Sequence, residues 1–166
     1  MRPKIGDIIE IPLSNGKKAY GQYVFRDEKR GPLLQVYDLI MDSTTHVDME
    51  DIVKVKPLFP PVITGLFAAI RTGLWKIVGR CPVKEFKYPG FISTFWNEKT
   101  GEAGVWYLWN GSESIRLGDQ LPEEYKSLEY GAVWSPYVVA DRIETGEYPY
   151  PYGDLIRFNK YTPRDQ

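Results

Sequence analysis

The single histidine, His46, carries the only imidazole of the sequence, and an imidazole is the commonest general base of enzymes. It lies among four acidic residues, Asp42, Asp48, Glu50 and Asp51. Such carboxylates are ligands for hard cations, but the segment lacks the glycine and the alternating oxygen ligands of a calcium-binding loop. We therefore interpret this stretch as a solvated acidic loop and predict no metal ligands in it.

The single cysteine, Cys81, is the strongest candidate nucleophile, because a thiolate is intrinsically reactive. It precedes Pro82 within an apolar stretch, and we predict an inert buried thiol. One cysteine cannot form an internal disulfide, and the sequence shows neither a secretory leader pattern nor an apolar run of membrane-spanning length. These features favour a chain that resides in a reducing cytoplasm and contacts no membrane.

Three glutamates, Glu98, Glu102 and Glu113, are the remaining candidates for catalysis, since paired carboxylates can hydrolyse glycosidic bonds. Each lies in or beside a predicted turn, where a solvated charge is the ordinary situation. The sequence also lacks the ligand spacing of metal sites, a phosphate-binding glycine loop and a serine elbow. We predict no catalytic residue, no metal and no cofactor.

A set of acidic and tyrosine residues toward the C-terminus is the best candidate for binding a partner protein. Acidic side chains accelerate association with a basic partner, and tyrosines near prolines make anchors of low entropic cost. The candidate residues are Glu123, Glu124, Glu129, Asp141, Glu144, Glu147, Tyr148, Tyr150 and Tyr152. The alternative is a solvated helix face, with the tyrosines packed against the body of the fold.

Length and charge limit the class of protein that can carry these residues. The chain has 166 residues, which predicts a single domain over residues 1–166. Its 21 basic and 22 acidic residues give a net charge of −1, and the basic residues are scattered along the sequence. Binding to nucleic acid is therefore disfavoured, while the sequence leaves the oligomeric state open.

Alternating apolar residues predict the elements that position the candidates. Ile9, Ile11 and Leu13 share one face of a strand, and Asn15-Gly16 then predicts a hairpin within a meander from Asp7 to Ile40. The stretch Gly104 to Gly111 predicts a central strand covered on both faces, with an exposed aromatic patch as the alternative.

Two later segments are harder to assign from local signals. Residues 66–79 fit either a helical stripe or two strands joined at Thr72-Gly73, and we favour two strands. Residues 135–146 give the clearest helix, whereas the Pro- and Tyr-rich tail after Gly146 predicts an extended segment packed across the body. The predicted fold is mainly β (α+β), with antiparallel strands forming a small barrel or strongly curved sheet and one C-terminal helix.

Five segments in a fixed order resemble the immunity protein 26 family. They are Lys4 to Gln22, Trp75 to Gly79, Gly104 to Gly111, Leu121 to Glu129 and Val138 to Gly146. The resemblance implies a largely β fold, residence in the cytoplasm of a toxin-producing bacterium, and binding to the cognate domain of a polymorphic toxin. It implies no catalysis, and it assigns no binding residue to a particular position.

Two other classes of function stay open at this point. One is an SH3-like or OB-like adaptor whose N-terminal barrel, Asp7 to Val55, binds a peptide or nucleic acid. The other is a small hydrolase that uses carboxylates. The resemblance favours a stoichiometric inhibitor, which needs a compact fold and no active site.

Overall fold

A computed structural model describes residues 1–164 of the chain, which divide into two compact units. The first unit comprises Met1–Lys87 and Val133–Gly146, and the second comprises Tyr88–Ala132 with the described residues after Gly146. The single-domain expectation stays a prediction, because two units of one chain can belong to one domain. Within residues 1–164, no helix is long and apolar enough to cross a membrane.

The first unit contains an antiparallel sheet in the strand order β4-β3-β2-β1-β5. Its strands in the described residues are β1 (Asp7–Pro12), β2 (Lys17–Asp27), β3 (Gly31–Asp42), β4 (Val62–Ile63) and β5 (Lys76–Arg80). Ile11 pairs with Ala19, and Gly16 has a φ of 74° in the turn between them. The predicted meander and its first hairpin are thus confirmed.

Each face of the first sheet carries its own apolar layer, because successive side chains of a strand point to opposite faces. On one face, Ile8, Tyr20 and Tyr37 form a core with Cys81 and with Ile52 of helix α1 (Met49–Ile52). On the other face, Tyr23 meets Phe67 of helix α2 (Leu66–Arg71), with ring centroids 5.9 Å apart. Inner strand β2 is therefore buried along most of its length.

Helix α3 (Pro136–Thr145) begins and ends where its capping residues predict. The Ser135 side chain accepts a hydrogen bond from the Val138 backbone N–H at 3.3 Å, and Gly146 takes the left-handed conformation at the C-cap. Val139 and Ile143 are buried on the inner side of the helix. The opposite side therefore remains available for polar and functional residues.

The second unit contains a sheet in the strand order β8-β7-β6-β9. Its strands in the described residues are β6 (Phe91–Trp96), β7 (Ala103–Trp109), β8 (Ser114–Gly118) and β9 (Glu129–Tyr130). β9 runs parallel to β6, and the other pairs are antiparallel. A 3₁₀ turn (Glu123–Tyr125) and helix α4 (Tyr152–Phe158) complete the unit.

Strand β7 is an inner strand, as the aromatic stretch predicts. Trp106 and Trp109 are buried and point to opposite faces of the strand, whereas Tyr107 and Leu108 are half-buried. On neighbouring β6, Phe95 is 84% exposed. Cover on both faces is therefore confirmed at Trp106 and Trp109 and is only partial at Tyr107 and Leu108.

The predicted barrel or strongly curved sheet is wrong, since residues 1–164 form two open sheets and no closed barrel. Alternating residues identify the faces of strands, but closure depends on whether distant edge strands meet. Here β4 and β5 are the two edges of the first sheet, and the SH3-like or OB-like alternative loses the barrel on which it depends. The described chain also has four α-helices where one was predicted.

Two segment predictions need correction as well. Residues 66–79 form helix α2 followed by strand β5 rather than two strands, and Gly73, with a φ of 76°, lies in the turn between them. The tail predicted as extended contains α4, which begins at Tyr152 directly after Pro151. A proline before the first helical turn is compatible with a helix, because the missing N–H has no partner there anyway.

Each unit contains a buried tyrosine whose pKa is raised strongly, namely Tyr37 in the first unit and Tyr130 in the second. Gln22 donates from Nε2 to the Cys81 carbonyl at 2.8 Å, and its Oε1 accepts a hydrogen bond from the Tyr37 hydroxyl at 2.8 Å. Burial raises the pKa of Tyr37 to about 12. In the second unit, burial likewise raises the pKa of Tyr130 to about 12, although the hydrogen bond that its hydroxyl accepts from the Thr94 backbone N–H at 3.1 Å opposes the rise.

These two tyrosines predict a loss of stability in alkali. A pKa raised on folding gives stability that is complete below the unfolded pKa of about 10 and is lost as the pH rises through about 12. We expect the free energy of unfolding to fall by up to about 2 kcal/mol per tyrosine over that range. Urea unfolding at a series of pH values measures this fall in the free energy of unfolding. A free energy that stays constant through this range contradicts the assignment.

Candidate partner-binding site

A groove of about 410 Å³ lies beside α3 in the first unit. Leu13, Leu74 and Trp75 give it apolar walls. Helix α3 contributes an aromatic ring and two carboxylates, those of Tyr137, Asp141 and Glu144. We call these six residues the acidic groove. Apolar walls with a few polar groups at the rim are typical of sites that bind partners or ligands.

The helical repeat brings the three α3 side chains of the acidic groove together. Residues four and seven positions apart lie on the same side of a helix, so Tyr137, Asp141 and Glu144 share one face. Val139 and Ile143 occupy the buried side. Tyr137 is 72% exposed, although it is one of the largest apolar side chains in the protein. A large exposed ring beside apolar walls is suited to insertion into a partner.

The Glu144 carboxylate joins α3 to the turn between β1 and β2. It accepts hydrogen bonds from the Ser14 backbone N–H at 2.5 Å and from the Ser14 hydroxyl at 2.7 Å. These bonds hold the Glu144 side chain in place on one wall of the acidic groove. Asp141, one turn earlier, is exposed. The two carboxylates therefore differ, since Glu144 is held within the protein and Asp141 faces solvent.

The remaining predicted acids lie in the second unit. Glu123 and Glu124 are exposed in the 3₁₀ turn, and Glu147 is exposed before α4. Glu129 is only 3% exposed, because it lies in β9 and pairs with Phe91 of β6. The structure thus brings Asp141 and Glu144 together in the acidic groove and places Glu129 in a core.

The three predicted tyrosines make contacts within the second unit. The Tyr148 hydroxyl accepts a hydrogen bond from the Tyr130 N–H, and the Tyr150 hydroxyl donates to the Thr162 carbonyl at 2.7 Å. The Tyr152 ring centroid lies 4.3 Å from that of Tyr130, and burial raises the pKa of Tyr152. These contacts match the alternative in which the tyrosines pack against the fold.

The histidine and the cysteine considered for catalysis lie in different surroundings. His46 is exposed, and its Nε2 lies 3.3 Å from an Asp48 carboxylate oxygen. Cys81 is buried in the core that contains Ile8 and Tyr37. In that part of the chain, no group of three or more His, Cys, Asp or Glu side chains could hold a metal ion.

A sequence model of the immunity protein 26 family matches residues 4–101, which is more than half of the chain. The chain belongs to the immunity protein 26 family. The matched residues include strands β1 to β6 and the apolar walls of the acidic groove, which are Leu13, Leu74 and Trp75. Helix α3 lies outside the matched residues. Neither the curated proteins nor the solved structures contain a significant match to this immunity protein 26 chain.

Tyr137 is the residue of the acidic groove that sequence reasoning missed. The sequence does contain a signal for it, because Tyr137 precedes Asp141 by four residues and Glu144 by seven. This spacing places all three on one face of the predicted helix. Leu74 and Trp75 had no comparable signal. Their place in the groove depends on the turn between α2 and β5.

Proposed function

We propose that this family member is a cytoplasmic immunity protein that binds and neutralises the cognate domain of a bacterial polymorphic toxin. It acts by stoichiometric occlusion, without catalysis and without a cofactor. Membership of the family supports the role of an immunity protein. The observation that carries the choice of surface is the acidic groove, in which exposed Tyr137 stands beside two carboxylates and apolar walls.

Charge favours this surface for a toxin that acts on nucleic acid. Such a toxin is basic where it binds phosphate, and an acidic inhibitor surface accelerates encounter and improves specificity. The exposed carboxylate of Asp141 is available for that role, while Glu144 is oriented by Ser14. The groove thus complements the part of the toxin that must be covered.

The anatomy of the groove also fits a protein interface. Stable interfaces bury on the order of 1,600 Å² in total, and a few aromatic anchors supply most of the binding energy. Tyr137 is the aromatic anchor, and Leu13 and Trp75 form apolar walls next to it. Occlusion of the toxin then requires a fixed shape and no reactive group on the inhibitor.

Co-expression of the chain with the toxin domain encoded by the adjacent gene tests the proposed function. We expect the two proteins to purify together as a stable complex and the producing cells to survive. A toxin domain that kills the cells despite folded, abundant chain contradicts the proposal. Survival without a complex contradicts occlusion as the mechanism.

Asp141→Lys provides a prediction about association with that toxin domain. Reversal of an exposed charge at the groove should lower the association rate constant about two- to tenfold at low salt and weaken its salt dependence. Glu50→Lys is the matched control, because Glu50 is an exposed acid on α1 of the same unit. Stopped-flow mixing measures both variants. Equal rates for the two folded variants would exclude the acidic groove as the steering surface.

A further inference from the structure

Three arginines and the Phe67 ring line a second pocket of the first unit, which shares no lining residue with the acidic groove. The pocket has a volume of about 380 Å³ and is lined by Met1, Arg2, Pro3, Arg26, Phe67 and Arg71. The guanidinium carbons of Arg2 and Arg26 both lie 5.8 Å from the centroid of the Phe67 ring. We call this feature the arginine pocket.

The positive charge of the arginine pocket is not balanced by its own walls. None of its six lining residues is acidic, and in residues 1–164 no carboxylate lies within ion-pair distance of the three guanidinium groups. Like charges that line one pocket repel each other, and a bound anion would relieve that repulsion. The unbalanced charge therefore points to an anionic ligand.

The arginines are attached to ordered parts of the fold. Arg26 belongs to β2, Arg71 ends α2, and Arg2 directly precedes the buried Pro3. The Phe67 ring, over which Arg2 and Arg26 lie, packs edge-on against buried Tyr23. Burial raises the pKa of Tyr23, and the positive charges of Arg26 and Arg2 oppose that rise. The guanidinium groups are thus partly oriented before any ligand arrives.

We propose that the arginine pocket binds a small phosphorylated ligand through its phosphoryl oxygens. Each planar guanidinium group can donate two parallel hydrogen bonds to an oxyanion, and three groups offer more donors than one carboxylate can accept. A diphosphate carries enough oxygens and charge to engage all three. The volume of the pocket also lies within the range of small-molecule sites. This site is independent of the proposed toxin contact.

A free phosphorylated molecule fits the pocket better than the backbone of a nucleic acid. Binding to nucleic acid uses an extended basic stripe that follows many phosphates. The three arginines line one pocket, and the whole chain has a net charge of −1. The ligand is therefore a compact polyanion rather than a long one.

Isothermal titration calorimetry of the full chain with pyrophosphate tests the proposal. The comparison ligands are inorganic phosphate, citrate and a single-stranded oligonucleotide. We expect saturable binding of one pyrophosphate per chain, weakened roughly tenfold or more in Arg26→Gln and in Arg71→Gln. The matched control is Arg116→Gln, an equal loss of charge at an exposed arginine of β8, and it should bind like the unmodified chain.

Each other outcome overturns the proposal. Absence of saturable binding, or an equal loss in Arg116→Gln, excludes a specific pocket. Citrate binding as tightly as pyrophosphate excludes selectivity for phosphoryl groups, and tighter binding of the oligonucleotide would assign the pocket to nucleic acid. Arg71 lies at an exposed helix end, so Arg71→Gln decides the result if Arg26→Gln does not fold.

Discussion

Replacement of Trp106 by alanine should lower the free energy of unfolding of the second unit by about 3–5 kcal/mol. Trp106 is 0% exposed on inner strand β7, so its removal leaves a large cavity between neighbours that cannot fully relax. Its indole N–H also donates to the Asn159 side-chain oxygen at 2.6 Å. The alanine variant loses that hydrogen bond together with the apolar contacts.

Urea unfolding monitored by circular dichroism measures this loss. Phe95→Ala is the matched control, because Phe95 is an aromatic residue of adjacent strand β6 that is 84% exposed. We expect that control to change the free energy by less than about 0.5 kcal/mol. If both variants unfold like the unmodified chain, Trp106 does not support the core of the second unit.

Replacement of Tyr137 by alanine should weaken the complex with the cognate toxin domain without unfolding the chain. Tyr137 is 72% exposed at the rim of the acidic groove, so its ring has contact area to lose only when a partner covers it. Aromatic anchors at the centre of interfaces contribute about 2–4 kcal/mol, which corresponds to an increase in Kd of roughly thirtyfold or more. Calorimetric titration of the toxin domain with each variant measures the change.

Two further variants show whether the ring itself is responsible. Tyr137→Phe keeps the ring and should retain most of the affinity, while Phe95→Ala removes an exposed aromatic residue outside the acidic groove and should leave Kd unchanged. A folded Tyr137→Ala variant that binds like the unmodified chain would remove the acidic groove from the interface.

Local signals in the sequence predicted the elements whose determinants are close together in the chain. Asn15-Gly16 between alternating runs predicted the first hairpin, and Ser135 with Gly146 predicted the two ends of α3. In both cases a few neighbouring residues determine the local backbone conformation. The same helix then placed Asp141 and Glu144 on one face, so part of the groove was predictable.

Features that depend on distant contacts could not be predicted in this way. In residues 66–79, the helical pattern and the turn at Thr72-Gly73 both occur in the structure. The helix is limited to α2, and the turn joins it to β5. Glu129 resembled a surface acid, yet β9 buries it because it pairs with β6, almost forty residues earlier in the chain. The open edges of the first sheet likewise depend on strands that are far apart in sequence.

Stoichiometric neutralisation is tested most directly by titration of the activity of the purified toxin domain with increasing amounts of this chain. Occlusion predicts that activity falls in proportion to added chain and reaches its minimum at one chain per toxin domain, independently of the time of incubation. Toxin activity that persists in the presence of excess folded chain would contradict binding. Complete inactivation by far less than one chain per toxin domain would contradict occlusion, because it would require catalytic turnover.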